Sequence, residues 1–183
     1  VIDTSTDTVI ATIGVPSRPR RVAFTPDGAQ AWVTSRDCGC LSVIDTATNT
    51  VLHTVSTGGG QPAGVAITPD GTRAYVANRN SANVGVIDAT TSPPTLIASI
   101  SVGSFPQFLA MTPDGSRVYV PNLLGDTVSV IDTTTDSVLT TFPVGDGPGW
   151  AAITPDGTQA YISNLEDDNV SVIDIASNSV THT

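Results

Sequence analysis

The tetrapeptide Thr-Pro-Asp-Gly starts at Thr25, Thr68, Thr112 and Thr154, and these spacings of 43, 44 and 42 residues constrain the fold more than any other feature. A second marker, Val-Ile-Asp, starts at Val1, Val43, Val86, Val130 and Val172, with spacings of 42, 43, 44 and 42. Two independent markers that keep one period make the chain an array of a single structural unit. Each unit reads as four short strands. In the third full unit "FLAMT" leads into the TPDG turn, "RVYVPN" follows, "TVSVID" is next and "SVLTTFPV" closes it. Val, Ile, Thr and Tyr fill the runs and Gly, Pro, Asn and Asp fill the joints, which is strand-and-turn chemistry. No window carries the helical period.

Four strands every ~40 to 45 residues is the blade period of a β-propeller, in which small antiparallel sheets stand radially and stack face to face. Stacking covers both faces of the inner strands, and "GVAIT", "AYVAN" and "VGVID" are apolar or small on both. The first strand of each unit is rich in small residues (Ala23, Gly64, Ala66, Ala110, Ala151, Ala152), as convergence on a central axis requires. A β-sandwich tolerates the strand count but does not explain the repeat. The expected fold is thus an all-β propeller of four-stranded antiparallel blades, in one domain over residues 1–183. Its divisions are a half blade over 1–15 and blades over 16–58, 59–102, 103–145 and 146–183. About four and a half blades make a partial or open ring. The chain opens inside a unit, which predicts either a longer parent protein or completion by another copy.

The TPDG segment reads as a turn between first and second strands. Pro fixes its second position, Asp bonds the backbone two residues on, and Gly accepts a positive φ. A ring of calcium ligands made from Asp27, Asp70, Asp114 and Asp156 is disfavoured, because calcium needs six to eight oxygens together and successive blades hold these apart. The Asp residues of the VID motifs read as turn residues too.

"AYVAN" and "VYVPN", preceded by "TPDG" and followed by "NVGVID" or "TVSVID", resemble the YVTN-type β-propeller repeats of archaeal and bacterial surface-layer proteins. The resemblance covers essentially the whole chain. It implies a parent ring of about seven blades and a structural or protein-interaction role in a secreted or cell-surface protein. Relatives of that propeller also include lactonase-like enzymes and chains of quinoprotein dehydrogenases. The name-giving tetrapeptide is "WVTS" at Trp32, "YVAN" at Tyr75, "YVPN" at Tyr119 and "YISN" at Tyr161. Trp32, in the tyrosine position, is expected to pack rather than to stack on a ligand.

Composition narrows the functional classes. A net charge of −10 argues against a nucleic-acid surface and against docking on anionic lipid. All seven basic residues are Arg, so Schiff-base lysine chemistry and a P-loop are excluded within the chain. No apolar run approaches the ~20 residues of a membrane-spanning helix, so no membrane insertion is expected. His53 and His182, the only histidines, fall in fourth strands far from the channel, and no serine stands in a nucleophile elbow. "STGGGQP" lacks the P-loop lysine and a following helix. No cofactor is expected, and an enzyme is the less favoured class. The alternative is a lactonase- or lyase-like propeller whose site needs further blades, with Asp146 and Glu166 to Asp168 as its thin local contribution. Cys38 and Cys40 in "RDCGC" are too few and too close for a zinc site; a local disulfide and two free thiols both remain open.

Because the units are near copies, the positions that differ are the ones free for function. The variable loops are those between units and those between second and third strands, and both lie on one face. Aligned on Pro19, Pro62, Pro106 and Pro148, the preceding residue is Arg18, Gln61, Phe105 or Gly147, and two residues after the proline stand Arg21, Gly64, Phe108 and Trp150. The second–third loops add Arg36 and Arg79, then Leu123 and Leu124, then Glu166 to Asp168. Arg18, Arg20, Arg21, Arg36, Arg79, Phe105, Phe108 and Trp150 are therefore the candidate site for a protein or cell-surface polymer, with self-association through open blade edges as a further mode. The competing reading is that the aromatics plug the channel and the arginines are solvated.

Overall fold

The computed structural model describes residues 1–183 as five antiparallel sheets and one short 3-10 turn, Arg79–Ser81. A hairpin of β1 (Ile2–Asp3) and β2 (Thr8–Val9) comes first. The first full sheet holds β3 (Pro19–Phe24), β4 (Gln30–Ser35), β5 (Cys40–Asp45) and β6 (Thr50–Ser56). The second holds β7 (Pro62–Ile67), β8 (Arg73–Asn78), β9 (Asn83–Asp88) and β10 (Thr95–Ser101). The third holds β11 (Ala110–Met111), β12 (Arg117–Asn122), β13 (Thr127–Asp132) and β14 (Ser137–Pro143). The fourth holds β15 (Pro148–Ile153), β16 (Gln159–Asn164), β17 (Asn169–Asp174) and β18 (Ser179–His182). Each full sheet is a meander in chain order. The result is an open arc of a β-propeller rather than a closed ring.

Strand alternation explains the stacking. Successive side chains of a strand point to opposite faces, so a strand that is apolar throughout serves two neighbours. In β8, Ala74 and Val76 join Trp32, Leu41 and Val43 of the first sheet, while Tyr75 and Ala77 join Val118, Val120 and Ile131 of the third. Tyr119, Val128 and Val130 repeat the pattern against Ala160, Ile162 and Ile173 of the fourth sheet. Trp32 is fully buried, as its place in the tyrosine position led us to expect, and its indole Nε1 donates to Gln30 Oε1 at 3.0 Å.

The repeated turns carry their own hydrogen-bond set. In the second TPDG copy, Thr68 Oγ1 donates to Asp70 Oδ1 at 2.6 Å, Thr72 N donates to the same oxygen at 3.0 Å, and Arg73 N donates to Thr68 Oγ1 at 3.0 Å. Gly71 N closes the turn on Thr68 O, with Gly71 at φ +73°. Each VID aspartate caps its own turn likewise, as when Asp132 Oδ1 accepts from Thr134 N and Oγ1. Side chains also clasp one sheet to the next. Tyr75 OH donates to Asp136 Oδ1 at 2.5 Å and Arg73 Nη1 to Asp136 Oδ2 at 2.8 Å; Tyr119 OH donates to Asn178 Oδ1 at 2.7 Å and Arg117 Nη1 to Ile175 O at 2.6 Å.

Two features depart from a uniform repeat. The first strand of the third unit, read as "FLAMT", shortens to the two residues of β11. Phe108 N donates to Gly149 O at 3.3 Å and Ala151 N donates to Phe108 O at 3.1 Å, so Phe108 pairs with the fourth sheet instead of its own. The fourth sheet has no sheet stacked on its outer face. Tyr161 there is 41% exposed, against 0% for Tyr75 and Tyr119 at the equivalent position.

Candidate functional site

The site begins in the backbone of the variable loops. The residue before each shared proline is left-handed: Arg18 at φ +56°, Gln61 at +54°, Phe105 at +62° and Gly147 at +67°. For residues with a Cβ this costs roughly 1–2 kcal/mol each. The conformation is held by a recurrent bond to the second–third loop of the same unit: Arg36 N donates to Arg18 O, Arg79 N to Gln61 O, Leu123 N to Phe105 O and Leu165 N to Gly147 O, at 2.9–3.2 Å. The two variable loops of a unit are thus tied together, and adjacent units place Arg36 beside Gln61.

Two groups of side chains result. In the first, Phe108 and Trp150 stack with ring centroids 3.8 Å apart and planes at 18°, and the Arg21 guanidinium lies 6.0 Å from the Trp150 ring. Arg21 comes from the first full sheet and Trp150 from the fourth, so the innermost strands meet around one mouth. Gly64 holds the corresponding place in the second sheet, where an added Cβ would lie 2.8 Å from Gln107 O and 2.9 Å from Leu109 N. Close approach of the next unit requires glycine there. In the second group, the Arg79 guanidinium lies 4.2 Å over the Phe105 ring. Arg36 Nε donates to Gln61 Oε1 at 3.1 Å. The Gln107 amide, with its oxygen turned to Arg79, accepts from Nε at 3.1 Å and from an Nη at 3.0 Å. Burial first, and then the like charges of Arg20 and Arg36, hold the Arg79 pKa below its ordinary value.

Arg18 is drawn to the edge of this face, 3.5 Å from Asp37 and largely exposed. Cys38 and Cys40 are joined by a disulfide in the neighbouring loop, 5.2 Å apart at Cα. His53 lies on the outer strand β6, its Nε2 3.2 Å from Ser92 Oγ, and His182 lies on β18. No three His, Cys, Asp or Glu side chains gather in metal-binding geometry. Two clefts of about 450 and 460 Å³ lie on the opposite face between successive TPDG and VID turns and are lined mainly by the repeat's own turn residues.

The YNCE-like beta-propeller family matches residues 54–183, well over half of the sequence. The chain belongs to that family. Among solved structures, this YNCE-like propeller is similar to the hydrazine synthase of Kuenenia stuttgartiensis, with 29% identity and a TM-score of 0.84 over 96% of this chain and 51% of that one. It is also similar to a functionally unknown protein from Desulfotomaculum acetoxidans DSM 771, with 21% identity and a TM-score of 0.83 over 99% of this chain and 62% of that one. The chain therefore spans about half to three fifths of the length of these two proteins. No curated protein matches it.

On this YNCE-like scaffold the eight candidate residues do not form one cluster. Arg21, Phe108 and Trp150 meet, Arg79 meets Phe105, Arg20 and Arg36 stand near Arg79, and Arg18 stays apart. Gln61 and Gln107, which aim the arginines, were not among the candidates. Their signal was available: Gln107 follows the shared proline where the other units carry Arg20, Ala63 and Gly149, so it too is a departure from the repeat.

Proposed function

We propose that this propeller domain is a structural or interaction module of the surface-layer type, part of a secreted or cell-surface protein, and that it takes a protein or a cell-surface polymer on the face of the inter-unit loops. The observation that carries this reading is the Phe108–Trp150 stack. Trp150 stays 46% exposed beside Arg21, on the face where the units differ. Exposed aromatic anchors flanked by arginine are what interface cores are enriched in. The Cys38–Cys40 disulfide supports an oxidising compartment.

The test is binding of the immobilised protein to a cell-envelope fraction of its source, compared with a Trp150→Ala, Phe108→Ala double variant. We expect binding to fall about tenfold or more with the melting temperature within a few degrees of the parent. If the double variant melts far lower and binds as well as the parent, the two rings are channel plugs and the reading is wrong.

A further inference from the structure

Only two of the seven arginines lie within ion-pair distance of a carboxylate, Arg73 of Asp136 and Arg18 of Asp37, and Arg117, on the opposite face, donates to the neutral Ile175 carbonyl. Arg20, Arg21, Arg36 and Arg79 have no carboxylate within ion-pair distance, in a chain that carries 17 acidic residues. Arg36 and Arg79 are brought together at Gln61, whose Oε1 accepts from Arg36 Nε and whose carbonyl accepts from Arg79 N, and the charges of Arg20 and Arg36 both oppose that of Arg79. Concentrating like charge without a counter-ion opposes folding, so the arrangement has a cost that the fold alone does not offset.

The way these side chains are held is informative. Gln61 and Gln107 accept from Arg36 and Arg79 through neutral amides, which fix direction and leave the positive charge in place. Phe105 supports the Arg79 plane from beneath. Each guanidinium has five N–H donors; Arg36 uses one of them here and Arg79 two. The remaining donors match the demands of a carboxylate or phosphate, which guanidinium groups bind in forked pairs. The net charge of −10 disfavours a long polyanion and leaves a compact one.

We infer that Arg36, aimed by Gln61, and Arg79, aimed by Gln107, form a site for a compact, multiply charged oxoanion at the mouth of the propeller. The inference deepens the reading of this face as a binding face and rests on it. The oxoanion is either a free small molecule or a charged group of the partner. Arg21 and the Phe108–Trp150 stack lie at the same mouth, where they can meet the uncharged part of such a ligand.

The experiment is calorimetric titration of the intact protein at low ionic strength with citrate and, separately, with inorganic phosphate. We expect saturation at one site per chain with Kd below about 1 mM. Arg36→Gln and Arg79→Gln should each weaken it about tenfold or more, while Arg18→Gln leaves it unchanged. Citrate binding tighter than phosphate assigns a carboxylate ligand, and the reverse order assigns a phosphorylated one. Failure of both anions to saturate, or unchanged affinity in Arg79→Gln, overturns the site. The Trp150→Ala, Phe108→Ala double variant separates the two proposals. If it loses the partner and keeps the anion, both stand. If the parent binds the anion but no envelope component, the interaction reading fails while the anion site stands.

Discussion

On the face of the TPDG and VID turns, every left-handed residue is Gly, Asp or Asn: Gly28, Gly71, Gly115 and Gly157 in the first set, and Asp7, Asn49, Asp136 and Asn178 in the second. On the opposite face Gly39, Gly58, Gly147, Asp126 and Asp168 are left-handed too, but there Arg18, Gln61, Ala82 and Phe105 join them. Gly, Asn and Asp adopt this conformation most readily, whereas Arg, Gln, Ala and Phe do so under strain. The first face is therefore written for backbone ease and repeats unchanged. The second accepts strain to set particular side chains, and strain retained in some copies and relieved in another, as at Gly147, marks where side-chain placement matters.

The sharpest way to break this contrast is to substitute one core residue that anchors on the uniform face and one residue of the variable face. Tyr75 is fully buried between sheets and anchors its hydroxyl on Asp136 in a VID turn, so Tyr75→Ala removes a core aromatic and a clasp together. We expect a loss of about 3–5 kcal/mol in chemical denaturation. Leu124→Ala, at a 64% exposed position on the variable face, should stay within about 0.5 kcal/mol. Tyr161→Ala serves as the internal control. The same repeat position without a sheet beyond it should cost much less than Tyr75, and equal losses would show that the clasp and stacking are not what Tyr75 provides.

These faces were unequally legible in the sequence. The period, the four strands per unit and the turn role of TPDG follow from turn chemistry and alternation, which are local and repeated, so four copies report the same fact; the packing role of Trp32 follows from its place in the tyrosine position of the repeat. The break in β11 was not legible. It depends on Phe108 bonding to the backbone at Gly149 and Ala151, a contact between units that no single unit encodes. The variable face could be located by subtracting one unit from another, but its grouping could not. Arg18 and Arg21 are three residues apart, yet one turns to Asp37 and the other lies beside the Trp150 ring. Only the loop geometry decides that.

Acid should act on the uniform face. Hydrogen bonds from neighbouring Thr or Ser residues hold the carboxyls of Asp3, Asp27, Asp70, Asp88, Asp114, Asp132, Asp156 and Asp174 below their ordinary pKa; for Asp45 the Thr48 backbone N–H is the leading cause. A carboxyl with a depressed folded-state pKa stabilises the fold above its unfolded value of about 3.9, and that stability is lost as pH falls through the lower folded value. The melting temperature should therefore stay nearly flat from about pH 7 to pH 5 and drop below about pH 4. A decline already complete by about pH 5.5 would take the responsibility away from the turn carboxylates.

The smallest effect tests the strain itself. At Gly71, φ is +73° and an added Cβ meets only the Pro26 ring, Cδ at 3.5 Å and Cγ at 3.9 Å, which is ordinary contact, so the dihedral alone is at issue. Gly71→Ala should cost about 1 kcal/mol. Gln61→Gly makes the reverse exchange at φ +54°. Relief of the left-handed cost, set against the extra freedom of glycine in the unfolded chain and the lost bond to Arg36, should leave stability within about 0.5 kcal/mol. The same change frees the Arg36 guanidinium from Gln61 Oε1, so citrate or phosphate affinity should fall several-fold although no charge has been removed. Unchanged affinity would mean that Arg36 is held by something other than Gln61, and that the strain at this position serves the loop rather than the arginine it faces.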